Sequence, residues 1–164
     1  MKFSIRLAEA TLGSLLFLAC IVGSTGSAAA TGHASPKHPQ YVPGLGEFMG
    51  GIQLRHAKLW FAGQVQNWPL AGYELNEIIE AFDDIATFQP QLDNKPVRQT
   101  IDSTVAKPLE RLKSSIASKD AAGFVTAFDS LSQACSACHL AAHHEFIVIQ
   151  RPESIPLTNQ RFSP

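Results

Sequence analysis

Near the C-terminus two cysteines stand three residues apart and a histidine follows at once, in Cys135-Ser136-Ala137-Cys138-His139. On a helical turn, positions three apart share a face. Both thiols can therefore meet the two vinyl groups of one porphyrin and form thioethers, which is the chemistry of the c-type haem attachment pentapeptide. His139 then falls under the iron as proximal imidazole ligand, its other ring nitrogen left for a carbonyl or water that fixes the tautomer. Two other chemistries use the same residue types. A thioredoxin-like dithiol needs a βαβ setting, and the sequence has neither an alternating strand pattern nor a crossover unit. Zinc can recruit Cys135, Cys138, His143 and His139, but CxxC joined directly to His in an exported chain fits covalent haem better. One covalent haem c is the expected cofactor.

Export is written at the other end. Lys2 and Arg6 precede an apolar stretch from Thr11 to Val22, and Ala28-Ala29-Ala30 supplies the small residues of a signal-peptidase site. Cleavage after Ala30 leaves about 134 residues in the periplasm. The apolar stretch is too short for a permanent anchor, so no stable membrane span remains after cleavage. Acylation of Cys20 as a lipoprotein is the weaker alternative, because Phe17 heads the would-be lipobox. Cleavage also removes Cys20, so Cys135 and Cys138 are the cysteines of the mature chain.

Composition narrows the rest. The 164 residues are 45% apolar and carry a formal charge of -1, which suits a compact domain and excludes a disordered chain. Basic residues are dispersed among acidic ones, without the clusters that bind phosphate backbones, so nucleic acid is not an expected partner. No paired-carboxylate motif, nucleophile elbow or phosphate loop is present, and the expectation is an electron carrier or haem-ligand-binding protein rather than an enzyme.

Four helical stripes must position the motif. After a Gly, His, Ser and Pro rich arm (31–42), Pro43 is expected to open the first helix, whose stripe is Leu45, Phe48, Met49, Ile52, His56, Leu59 and Gly63. Pro69 is expected to end it. Leu75, Ile78, Ile79, Phe82 and Ile85 mark a second helix, whose acids Glu74, Glu77, Glu80, Asp83 and Asp84 read as a solvated face or a docking patch. Ile101, Val105, Leu109, Leu112 and Ile116 mark a third, which Pro108 is expected to kink or divide. Asp120 caps a fourth, with Phe124, Phe128, Leu131, Cys135 and Cys138 in one stripe, so the motif cysteines continue the core. The expected fold is all-α: an up-down-up-down four-helix bundle over 43–145, with haem attached on the C-terminal helix. An extended tail (146–164) follows, in which Phe146 to Ile149 folds back along the bundle and Arg151 lies near the haem edge.

A haem pentapeptide on the last of four helices resembles the class II c-type cytochromes, the cytochrome c-prime group. The resemblance covers roughly residues 42 to 145 and implies periplasmic electron transfer or binding of small gases. It also implies a sixth-position residue on helix one, a methionine in low-spin members. The candidates here are His56, favoured as distal ligand, and Met49 as the alternative, about 10 Å apart along the helix axis. With His56 bound the iron is six-coordinate and bis-histidine; with neither bound it is five-coordinate and open to NO or CO. Arg55 and Lys58 are candidates to neutralise haem propionates, and His143 and His144 to face solvent or cap the helix end. A redox partner protein and a homodimer complete the expectation.

Overall fold

A computed structural model of the chain describes residues 41–92, 94–156 and 159–164. The segment expected to be a signal peptide (1–30), with Cys20, and almost all of the arm lie outside the described residues. Four helices dominate: α1 Leu45–Gln64, α2 Trp68–Phe88, α3 Val97–Ala117 and α4 Ala121–Ala141. They pack in chain order as an all-helical bundle. Between α2 and α3 runs a minimal antiparallel ladder, β1 Gln91–Leu92 and β2 Lys95–Pro96, with Asn94 left-handed at its turn. No strand was expected there, and two residues are too short a run to leave a period in the sequence.

Each helix starts where local chemistry demands. Helix α1 opens at Leu45, two residues beyond Pro43, and the Glu47 carboxylate accepts from the Gly44 N–H at 2.9 Å while Tyr41 donates to it. At α2, Asn67 accepts from Leu70 N at 3.3 Å. Pro69 therefore begins α2 instead of ending α1: a first-turn position has no intrahelical bond for its missing N–H to break. Pro108 lies within one unbroken α3, its ring buried in the core, and does not divide the helix. At α4, Asp120 accepts from Gly123 N at 2.9 Å as the expected cap. A Cβ on Gly123 would sit 2.3 Å from that same carboxylate, which would have to shift to make room for it.

Leu59, Ile78, Ile85, Leu112, Phe124, Phe128 and Leu131 are fully buried and form the centre of the core. The register of α1 on α4 decides what faces what. Gly63 meets the Phe124 ring, Trp60 meets Phe124 and Phe128, and His56 meets Phe128 and Ser132. Rising numbers on α1 thus meet falling numbers on α4, and the two helices are antiparallel. Their close contact lies at the Gly63 end, and toward the start of α1 they diverge around a cavity.

Glycine at 63 is what permits the close end. An added Cβ would lie 2.1 Å from the Phe124 ring, so Gly63→Ala is expected to lose about 1–3 kcal/mol in urea unfolding, the usual cost of overpacking. Gly51→Ala, with open space at its Cβ position, is expected not to destabilise; equal losses at both sites would contradict the packing described.

Candidate functional site

The last two turns of α4 carry Cys135, Cys138 and His139, and all three line a cavity of about 350 Å³. The opposite wall comes from the start of α1 through Leu45, Met49, Ile52 and His56; Ile78, Phe82, Ile101 and Val105 close the back. This volume lies within the range of small-molecule and cofactor sites. Gly46 and Gly50 face it without side chains, and no atom stands within 4 Å of where their Cβ atoms would be. The chamber is apolar, both thiols and the His139 imidazole are gathered on its α4 wall, and a flat apolar group suits it.

His139 is held in a defined orientation. Its Nδ1 lies 3.0 Å from the Ile147 carbonyl oxygen. A carbonyl only accepts, so Nδ1 carries the proton and Nε2 keeps its lone pair for a metal. The thiols are in an unusual state for reactive cysteines. Burial, with the neighbouring Cys138 adding to it, pushes the Cys135 thiol up to about 12, and burial raises Cys138 as well. Redox dithiols work through depressed thiol pKa values, so this environment speaks against that chemistry. Among the described residues no group of three or more His, Cys, Asp or Glu is arranged to hold a metal ion. A four-ligand zinc site from Cys135, Cys138, His139 and His143 is therefore not assembled, whereas a haem iron asks the protein only for axial ligands.

The two distal candidates occupy different levels. His56 is buried and bonds through Nε2 to Ser132 Oγ at 2.9 Å, while the Ser132 hydroxyl is also 3.0 Å from the Phe128 carbonyl. With the serine proton given to that carbonyl, the imidazole N–H donates to the serine oxygen. Ser132 precedes His139 by seven residues, about 10 Å along α4. In the antiparallel register Met49, seven residues before His56, falls within a turn of the level of His139. It is half-buried and lines the cavity.

Arg55 sits elsewhere. Its guanidinium bonds Glu74 at 3.1 Å and Glu77 at 2.9 Å and lies over the Tyr73 ring, with Lys58 3.7 Å from Glu74. Both cations pair with acids of α2 and neither lines the cavity. Glu74 is 1% exposed, so this acid belongs to a buried ion-pair cluster instead of a solvated face. His143 lies beyond the end of α4 with a left-handed φ of 58°, and His144 reaches the cavity rim, its Nδ1 bonded to the Ala142 carbonyl at 2.6 Å.

The segment after α4 supplies groups that no motif announced. Ile147 and Ile149 line the cavity while Phe146 and Val148 point outward at 77% and 70% exposure, the two-residue alternation of an extended chain. Ser136 accepts from Ile149 N at 2.9 Å and lies 3.2 Å from its carbonyl. Arg151 grips Asp129 with both nitrogens and lies over the Trp60 ring, not on the cavity lining. Farther on, Phe162 is buried against Phe61 and its carbonyl accepts from Asn67. No described helix is long and apolar enough to cross a membrane. Comparison with protein-family models, with curated proteins and with solved structures finds no match to this chain.

The His56 imidazole is held neutral. Burial lowers its pKa from 6.5 to about 4. Between those values the unfolded chain takes up a proton that the folded chain refuses, so stability is full above the upper value and falls as pH drops through the window. Glutamine keeps a donor but cannot protonate. His56→Gln is therefore expected to show a smaller drop in urea midpoint than the wild type between about pH 7 and about pH 4.5; identical drops would contradict a buried neutral imidazole.

Proposed function

We propose that this chain is an exported c-type cytochrome of the class II kind, a periplasmic one-electron carrier with one haem c. Cys135 and Cys138 hold the haem through thioethers on α4, and His139 is the proximal ligand. The extended tail covers the same site. A bound haem supplies the one-electron couple; everything else is done by the chain. The observation that carries this reading is the convergence of both thiols and a His139 imidazole, Nε2 free and Nδ1 bonded, on one wall of an apolar cavity.

The polypeptide's part is positioning and exclusion of water. Apolar side chains from four helices and β1 surround the cavity, which leaves iron potential to axial ligation, hydrogen bonding and low polarity. For the distal position the register favours Met49 over His56. A thioether within a turn of the His139 level can approach the opposite face, while the His56 Nε2 is engaged by Ser132 at a level about 10 Å away. Methionine opposite histidine raises the potential relative to a bis-histidine pair. Exposed lining residues such as Gly46 and His144 leave the cavity edge within reach of a redox partner protein. The same apolar chamber supports the rival function, a five-coordinate iron that binds NO or CO, if the Met49 sulfur stays off the metal.

Optical and electron paramagnetic resonance spectra of the purified holoprotein separate these readings. The wild type is expected to be low-spin and, when reduced, unreactive toward CO. Met49→Ala is expected to turn high-spin and bind CO, and His56→Ala to remain low-spin. Loss of low-spin character only in His56→Ala would move the assignment to His56; a high-spin, CO-binding wild type would replace the carrier by the gas-binding protein.

A further inference from the structure

We infer that the segment after α4 is a positioning device for the proximal histidine, in which Ser136 latches Ile149 and so holds the Ile147 carbonyl on His139 Nδ1. This rests on the haem reading of the site. Three contacts line up along the chain. Ile147 meets His139, Ile149 meets Ser136, and Arg151 meets Asp129, so the segment runs back along α4 toward its N-terminus. Ser136 is one of the two variable residues inside the haem pentapeptide. A bond from it therefore ties the segment to the motif itself.

The latch rests on the Ile149 N–H, because the single Ser136 hydroxyl proton is shared between two carbonyls. The Ser136 oxygen accepts from Ile149 N at 2.9 Å and its hydroxyl faces the Ile149 carbonyl at 3.2 Å and the Ser132 carbonyl at 3.1 Å. Fixing Ile149 fixes the carbonyl two residues earlier, because the intervening backbone is extended and its side chains alternate between cavity and solvent. Arg151 adds a bidentate pair with Asp129 and a stack on Trp60, so the segment is pinned on both sides of the latch. A carbonyl accepting from Nδ1–H increases the basicity of Nε2, and a more basic ligand favours ferric over ferrous iron. The device thus lowers the potential of the site, and losing it raises the potential.

The test uses the mature holoprotein with Ser136→Ala and Ser136→Thr, the second keeping the hydroxyl. Ser136→Ala is expected to shift the ferric to ferrous equilibrium about tenfold toward ferrous, about 59 mV upward for one electron, and Ser136→Thr to return it to the wild-type value. A role confined to stability would lower the unfolding midpoint and leave the potential unmoved, and that result overturns the inference. Where Ser136→Ala fails to fold, Ile149→Pro removes the latched N–H with Ser136 intact, and the same upward shift is expected. A readout without haem separates this idea from the haem assignment. In the mature chain prepared haem-free, ring nitrogen shifts are expected to show His139 as the Nδ1–H tautomer, and a predominant Nε2–H tautomer overturns the inference whatever the cofactor.

Discussion

The contact on which the rest depends is the crossing of α1 and α4 at Gly63 and Phe124. There the backbone of one helix lies against the aromatic ring of the other, closer than any side chain at residue 63 would allow. Trp60, Phe128 and His56 continue that seam for two more turns. Beyond it the helices part, and the space between them is the cavity that Cys135, Cys138 and His139 face. One close crossing therefore sets both the chamber's position and the pairing of levels across it. A one-turn slip would exchange the residue opposite His139.

Charge is used locally. Glu74 is buried, yet it meets Arg55 and Lys58 from α1 and so joins the first two helices through a compensated cluster. An unpaired carboxylate at that depth would be costly, and the two cations remove that cost only where the geometry holds. Arg98 serves α2 and α3 in the same way through Asp83 and Asp102, although more exposed and correspondingly weaker. None of these charges enters the cavity lining, which keeps the chamber apolar.

Much of this was legible in the residues. The four stripes gave four helices because an amphipathic period survives whatever the helices pack against, and Asp120 announced α4 because a cap is local chemistry. Proline was read less well. Pro69 fits a first turn instead of ending a helix, and Pro108 leaves α3 undivided with its ring buried; only the neighbouring chain distinguishes a stop from a start. The cluster of Cys135, Cys138 and His139 was visible as a motif, whereas the choice between Met49 and His56 depends on register, which is a property of two helices together. The partners of Arg55 were hidden for the same reason: they lie on α2. The Ile147 carbonyl had no signal at all, since a backbone group carries no residue identity. Ser132 had a faint one, a polar residue one turn before Cys135 among the apolar positions of α4.

In the proposed function Cys135 and Cys138 are consumed as thioethers to one haem in an exported chain. Intact mass under denaturing conditions, taken on protein from the periplasm of a host able to mature c-type cytochromes, tests it most directly. The expected product is a polypeptide beginning at Thr31 that keeps the mass of one haem after unfolding. A chain of the bare polypeptide mass, or one that sheds its cofactor or a metal ion on denaturation, would contradict it.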